Sequence, residues 1–295
     1  MNILVTGSSG FIGQNLVKKL LTLNHNVITI DLKGKIDNTK HYQIDITDLD
    51  KLNSITDDID IIYHLAAQSY GKGSIIDPNK DLNWNIQGTL NICRFAENKS
   101  VKKIIYSSSM AVYGNHEISY ESDYPEPLSN YGVSKLAGEF YIKKLNIPYT
   151  IYRLYNTYGP GQDLSNESKG VVSAFVTQVI NGNNPIEVTG SLDRFRDIIF
   201  IDDVISALII GLTTDTDNQI FNVSTNQKTS IKQLIDIIIE ISNKTNINII
   251  NIGNLEGDQH GNTGDNTKLK NLGWSPITSL NEGIRKFYNY CLDKL

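Results

Sequence analysis

Thr6-Gly-Ser-Ser-Gly-Phe-Ile-Gly13 follows directly on the apolar run of residues 3–6 and opens an amphipathic segment carrying Leu16, Leu20 and Leu23. Glycines at 7, 10 and 13 recur every third residue, a spacing that permits a tight turn, close approach of a ligand to backbone, and close packing of the next helix on a sheet. A helix starting there points free N–H groups and the positive end of its dipole at whatever the turn encloses, which suits a pyrophosphate. A bare turn satisfies the same spacing. The strand before it and the helix after it make it a candidate dinucleotide cradle.

The alternation continues outward. Strands are expected at 3–6, 27–31, 42–45, 59–65, 103–107 and 150–154, with helical segments between most of them. Strands separated by helices imply βαβ units, and runs as apolar as Ile59-Asp-Ile-Ile-Tyr-His-Leu65 suit strands covered on both faces. The expected fold class is therefore α/β, a doubly wound parallel sheet (Rossmann) with a smaller C-terminal α/β lobe. Residues 1–165 are assigned to the dinucleotide domain, with some later segments returning to it, and 166–295 mainly to a substrate lobe. The lobe holds helices near 171–180, 231–241 and 280–290 and strands near 186–188, 196–201 and 220–223, after a Gly/Asn/Ser-rich loop at 159–169.

The second strand ends at Asp31, where a carboxylate accepts hydrogen bonds from both adenosine ribose hydroxyls and repels a 2'-phosphate. NAD is favoured over NADP, although Lys33 and Lys35 stand nearby. Tyr131-Gly-Val-Ser-Lys135 places a phenol and an ammonium one helical turn apart. Val133, Leu136, Ala137, Phe140 and Tyr141 form a stripe roughly opposite, so the stripe is expected to pack inward and the pair to point away from it. A tyrosine becomes a base near neutrality only if its pKa falls by about three units, roughly 4 kcal/mol of preferential phenolate stabilisation. A neighbouring ammonium and a positive nicotinamide ring supply charge of the right sign. Ser107, Ser108 and Ser109 close a strand at the sheet's carboxyl edge, where ligands of such folds bind and a hydroxyl can steady a developing oxyanion.

Composition narrows the setting. The 295 residues are 40% hydrophobic and 20% charged with a formal charge of -5, values that argue against a nucleic-acid surface. Cys93 and Cys291 lack metal-ligand spacing, and reduced thiols in a cytoplasmic protein are expected. The first strand is expected to begin at once, so no leader is expected, and the apolar stretches fall short of the ~20 residues that span a bilayer. His25, His41, His64, His116 and His260 show no ligand pattern. No metal is expected, and His64 is read as a core residue.

Further stretches join these in order: Asp45-Ile46, His64-Leu-Ala-Ala67, Asn85-Ile-Gln-Gly-Thr89, Ser107-Ser-Ser-Met-Ala-Val-Tyr-Gly114, Arg153-Leu-Tyr-Asn156, Arg196-Asp197 before Ile201-Asp-Asp203, Gly257-Asp258 and Leu272-Gly-Trp-Ser-Pro276. Over nearly its whole length the chain resembles the extended short-chain dehydrogenase/reductase family, in particular its NAD-dependent sugar-nucleotide epimerases and dehydratases. The resemblance implies that Ser109, Tyr131 and Lys135 are catalytic. It puts Gly7, Gly10, Phe11, Ile12, Gly13 and Asp31 at the cofactor cradle, Asp45 and Ile46 at the adenine, and Leu65, Ala66 and Ala67 beside the nicotinamide. Asn85 and Ser107 help fix the cofactor, with Tyr131 and Lys135. Ser109, Asn156, Arg194, Arg196 and Asp258 fall on substrate positions. Arg196 would grip a diphosphate, its alternative being a salt bridge with Asp197. In many relatives an arginine stands where this chain has Leu255, so Arg194 is a candidate to compensate. Asn262 lies near the position that restricts bulk at C2. A homodimer through the helix of Tyr131 is usual for the family.

Family 4,6-dehydratases carry an acidic pair after the serine, whereas Met110 and Ala111 stand here, in a pattern similar to UDP-glucose 4-epimerases and their N-acetylhexosamine relatives. The expected activity is NAD-dependent epimerisation at C4 of a nucleotide-linked hexose through a transient 4-keto sugar. A 4-dehydrogenase or 4-ketoreductase, a 4,6-dehydratase, and a non-catalytic dinucleotide sensor remain as alternatives.

Overall fold

A computed structural model describes residues 1–34, 36–164, 170–253 and 260–295. Leu255, Gly257 and Asp258 lie outside the described residues, as do Lys35 and part of the 159–169 segment. The chain divides into two compact units. The first comprises Met1–Gly114, Tyr124–Leu154 and Ile205–Phe221; the second comprises Asn115–Asp123, Tyr155–Val204 and Asn222–Leu295.

The first unit is built on one sheet. Its strands are β1 (Asn2–Thr6), β2 (Asn26–Asp31), β3 (Lys40–Gln43), β4 (Ile61–His64) and β5 (Lys103–Ser109), with β7 (Tyr149–Leu154) and β12 (Gln219–Val223) further along the chain. The order across the sheet is β12-β7-β5-β4-β1-β2-β3, and the neighbours from β3 to β7 run parallel. Parallel strands need crossovers, which α1 (Phe11–Thr22), α2 (Leu49–Asn53), α3 (Gly71–Ile76), α4 (Pro78–Asp81), α5 (Gly88–Asn98) and α6 (Asn130–Lys143) supply in part. The strand order reverses at the β1/β4 boundary, and ligands of such sheets bind outside the carboxyl ends of strands at that point. Leu4, Ile28, Ile62, Ile104 and Ile151 from successive strands form one buried core with Ile92, Phe95 and Ala96 of α5.

Two expectations about strands need correction. Residues 220–223, assigned to the second lobe, form the edge strand beside β7: the Asn218 amide donates to the Tyr149 carbonyl at 2.7 Å, and Phe221 lies on Tyr152 with ring centroids 5.9 Å apart. A short apolar run does not itself say which sheet it joins. The third strand ends at Gln43 rather than 45, because Asp45 turns the chain by accepting from the Thr47 amide and hydroxyl, each at 2.9 Å.

The second unit carries the short parallel pairs β8 (Asn156–Tyr158) with β11 (Ile198–Phe200), β9 (Ile186–Val188) with β14 (Ile249–Asn251), and β6 (Ile118–Ser119) with β15 (Thr263–Gly264). The expected strand over 196–201 is split in two, and β10 (Phe195–Arg196) pairs antiparallel with β13 (Thr229–Ser230). The helices α7 (Val171–Ile180), α8 (Ile231–Ser242) and α9 (Leu280–Leu292) pack on one another. Among the described residues no helix is long and apolar enough to cross a membrane.

The helix α6 is turned the other way from the expectation. Val133 is 51% and Phe140 56% exposed, Tyr141 is exposed as well, and the buried face carries Ser134, Lys135, Gly138, Glu139 and Ile142. Polar partners select that face. Glu139 takes Arg153 Nε and Nη2 at 2.9 and 2.7 Å and the Ser108 hydroxyl at 2.6 Å, and Gly138 leaves room for Tyr106, whose hydroxyl would stand 2.3 Å from an added Cβ. Removing one member of such a buried pair strands the other charge, so Glu139→Ala is expected to cost about 3–5 kcal/mol, measured as the loss of stability in chemical denaturation.

Candidate active site

The glycine turn is as tight as its spacing suggests. Gly7 has φ +69°, and a Cβ there would stand 2.7 Å from the Ala66 amide nitrogen; one on Gly13 would stand 2.1 Å from the Gly7 carbonyl oxygen. Neither position admits a side chain. Gly10 caps α1 without a side-chain hydrogen bond, and the first turn of that helix holds no acidic residue, so nothing on it competes with a phosphate for the amides. Phe11 and Ile12 open the helix, and Gly13 faces inward with Leu16, Val17 and Leu20. Asp31 ends β2 and accepts from the Ser9 amide at 2.9 Å and the Lys33 amide at 3.1 Å, joining the glycine turn to the next loop. A carboxylate has about four lone-pair sites, so capacity for ribose hydroxyls remains. These features fit NAD.

At the β1/β4 boundary the carboxyl ends are tied together. The Thr6 hydroxyl lies 2.8 Å from His64 Nδ1 and accepts from the Ala66 amide at 3.2 Å, while His64 Nε2 lies 3.0 Å from the Thr89 hydroxyl. Burial pushes His64 down to about 3, so it is neutral, as a core residue should be. No group of residues able to hold a metal ion occurs among those described. Ile46 packs on Gly88 and, with Thr47, offers its carbonyl to the Asn91 amide.

Asn85 lies on a π-helical turn, Leu82–Gln87, between α4 and α5. Its Oδ1 accepts from the Gln68 amide at 2.7 Å, and its Nδ2 faces the Gln68 carbonyl at 3.1 Å and the Asp81 carboxylate and Ser134 hydroxyl, each at 3.0 Å. The side chain bolts the segment after Ala67 to α6. Its internal bonds make it a brace, a use the sequence does not disclose. Extra-wide helical turns of this kind recur at functional sites.

The Ser109 hydroxyl lies near enough to the Tyr131 phenol to favour its ionised form. The Ser109 hydroxyl also accepts from the Ala111 amide at 3.2 Å, and the Ser107 hydroxyl donates to the His64 carbonyl at 3.3 Å. The Tyr131 amide is held by the Ser74 hydroxyl at 3.1 Å. Lys135 Nζ stands 4.6 Å from the centre of the Tyr106 ring, within cation–π reach. Burial pushes Tyr131 up to about 12, only partly opposed by the Ser109 hydroxyl, and Asp81 pushes the same way. Burial likewise draws Lys135 down to about 7 against the pull of Glu139 and Asp81. A phenol lowered by its ammonium neighbour was expected; desolvation instead raises it, and the groups that act on it are Ser109 and Asp81.

In the second unit, Asn156 Nδ2 donates to the Asp197 carbonyl at 2.9 Å. Arg196 Nη1 donates to the Phe195 carbonyl at 2.8 Å, and its pKa is drawn down to about 10 by burial and by the like charge of Arg194. Arg194 reaches the carbonyls of Thr189 and Ser191, its guanidinium fitting over Gly190. Asp197 accepts from Thr225, Asn226 and Gly264. Asn262 is buried, its Nδ2 donating to the His116 carbonyl and the Ser119 hydroxyl, each at 2.8 Å.

The sequence reading left Asp81, Gln68, Tyr106 and Glu139 unassigned. Only two carried a local signal, since Asp81 precedes Asn85, and Glu139 follows Lys135, by one helical turn.

The chain is similar over its whole length to several known proteins. A UDP-glucose 4-epimerase of Mycolicibacterium smegmatis is 33% identical over 320 residues, spanning 100% of this chain and 99% of the relative. The structure of a UDP-glucose 4-epimerase from Thermotoga maritima with UDP-glucose superposes with a TM-score of 0.93 at 32% identity, covering 100% of this chain and 99% of that one. That of the Thermus thermophilus UDP-glucose 4-epimerase complex with NAD gives 0.91 at 28% identity, with 100% of both chains covered. Residues 3–224 match the family model described as NAD dependent epimerase/dehydratase family, and the chain belongs to that family.

Proposed function

We propose that the protein is an isomerase that inverts C4 of a nucleotide-linked hexose. The observation that carries this reading is the juxtaposition of Ser109 with Tyr131 and of Lys135 with the same helix face, in a family member whose similar proteins include UDP-glucose 4-epimerases. The Gly7–Gly13 turn and Asp31 would hold NAD, which would supply reversible hydride acceptance and a positive ring. Tyr131 takes the proton of the C4 hydroxyl and gives it back after the 4-keto sugar has turned its other face. Ser109 donates to the phenolate and steadies the C4 oxygen. Lys135 holds positive charge beside a phenol that burial would otherwise keep protonated.

The first unit then serves NAD and the second the nucleotide sugar, with Arg196 and Asn156 as its contacts. Two neighbouring guanidiniums that repel each other favour an anion such as a diphosphate, and Arg196 has the planar donors for it. Met110 and Ala111 do not offer the acid and base that loss of water across C5 and C6 requires. The exposed stripe of Val133, Phe140 and Tyr141 supports pairing with a second copy, and the buried free thiols of Cys93 and Cys291 suit a reducing cytoplasm.

The purified protein with NAD, incubated with UDP-glucose, UDP-N-acetylglucosamine or GDP-hexoses, is expected to yield a C4 epimer by NMR with no net change at 340 nm. Stoichiometric NADH or a released keto sugar would point to a dehydrogenase or dehydratase instead. Tyr131→Phe should lower kcat by about 10²–10⁴-fold with little change in KM. Gly13→Ala should weaken NAD binding at least tenfold by calorimetry, because backbone has to move to admit the methyl group.

A further inference from the structure

Tyr106 and Ser108 stand two residues apart on β5 and so share one face of the strand, and α6 lays Lys135, Gly138 and Glu139, members of one helical ridge, against it. The two contacts differ in kind. Ser108 donates its hydroxyl to Glu139 at 2.6 Å, whereas Tyr106 turns its ring toward Lys135, whose Nζ stands 4.6 Å from the ring centre. Both partners are out of water, Lys135 at 3% and Tyr106 at 1% exposure. The ring is also held in place. Gly138 makes room for it, a Cβ there falling 2.8 Å from its Cζ, and His64, its register partner on β4, stacks on it with ring centres 5.5 Å apart and 26° between the planes. His64 is in turn fixed between the Thr6 and Thr89 hydroxyls.

We propose that Tyr106 is a positioning residue whose ring face holds the Lys135 ammonium in place and in its charged form through a cation–π contact. This inference rests on the catalytic reading given above, in which Lys135 supplies positive charge to the proton transfer at Tyr131. An aromatic ring carries negative charge on its faces, and its attraction for a cation is stronger once both are out of water. The charged groups around Lys135 are otherwise engaged. Glu139 is bound by Arg153 of β7 through two hydrogen bonds, Asp81 of α4 by the Asn85 side-chain amide, and His64 is neutral. Glu139 and, after it, Asp81 favour the ammonium from where they stand, and Tyr131 lies one turn before it on the helix. The Tyr106 ring meets it directly.

Burial draws Lys135 down to about 7, so its ammonium is present in acid and lost as pH rises through that point. A ring face attracts the charged form and not the neutral amine, so weakening that face moves the loss to lower pH.

The test uses the full chain with bound NAD, labelled with ¹³Cε-lysine, the Lys135 resonance being assigned by its disappearance in Lys135→Met. Its titration midpoint is expected to stay within about 0.3 pH unit of the original in Tyr106→Phe, which keeps the ring, and to fall by about one unit in Tyr106→Leu, which removes it. Mono-, di- and trifluorophenylalanine placed at position 106 keep the size of the ring while draining charge from its face, so the midpoint should fall in step with the fluorine count. They carry the test if the leucine variant does not fold. In parallel, the alkaline limb of kcat should move to lower pH by the same amount, a loss of about tenfold on that limb in the leucine or trifluorinated protein, with KM little changed. A Lys135 midpoint that ignores fluorination overturns the proposal, whatever Tyr106→Leu does. A midpoint that falls with fluorination in a protein that forms no C4 epimer upholds the contact and rejects the catalytic reading.

Discussion

The desolvation of Lys135 and of Tyr131, one turn apart on α6, is the constraint around which the first unit is arranged. Taking a lysine out of water disfavours its charge, and taking a tyrosine out of water disfavours the phenolate, so burial works against both halves of the pair at once. The values of about 7 for Lys135 and about 12 for Tyr131 express that opposition. Proximity alone does not resolve it. What resolves it is the supply of further charge and hydrogen bonds, and the interior of this unit is unusually rich in both: Asp81, Asn85, Ser108, Ser134, Glu139 and Arg153 are all buried. Their strands and helices meet at the carboxyl edge of the sheet because a parallel sheet brings the ends of β1, β4 and β5 to one side.

The same requirement explains why α6 faces as it does. Hydrophobic periodicity sends Val133, Phe140 and Tyr141 inward, and for a helix packed on an apolar sheet that would hold. Here β5 and β7 present Ser108 and Arg153 to the helix, and only the face with Lys135 and Glu139 can satisfy them. Leaving a buried guanidinium without a carboxylate costs about 3–5 kcal/mol, whereas Val133, Phe140 and Tyr141 keep half or so of their surface covered and forgo only part of the about 1.5–3 kcal/mol that full burial of each would bring. Polar complementarity therefore overrides the apolar stripe.

This sets the boundary of what could be read from the chain alone. The alternation of strands and helices, the glycine turn with its helix, and Asp31 at the end of β2 were legible because each depends on neighbours in sequence. Spacing and family resemblance also singled out Ser109, Tyr131 and Lys135, whose catalytic roles are proposed. The orientation of α6, the edge position of β12 and the bracing of Asn85 were not legible, because each is decided by residues dozens of positions away. Phe221 against Tyr152, Glu139 against Arg153 and Asn85 against Gln68 and Ser134 are facts of pairing. No periodicity records them.

The hydrogen bonds of Asn85 show how the two motifs most visible in the sequence become one device. Gln68 follows the segment that packs on Gly7, and Ser134 precedes Lys135, so a single side chain spans from the neighbour of the glycine turn to α6. A regular α-helix from Pro78 to Asn98 would have a tighter turn at this point; the π-helical turn swings the amide to reach both sides together with Asp81. Under the proposed mechanism, moving the base from the hydride acceptor by even about an ångström is enough to lose most of the advantage of holding them together. A rigid link between the segment after Ala67 and α6 is thus worth the irregular helix that makes it, and the irregularity is itself part of how the fold sets its chemistry.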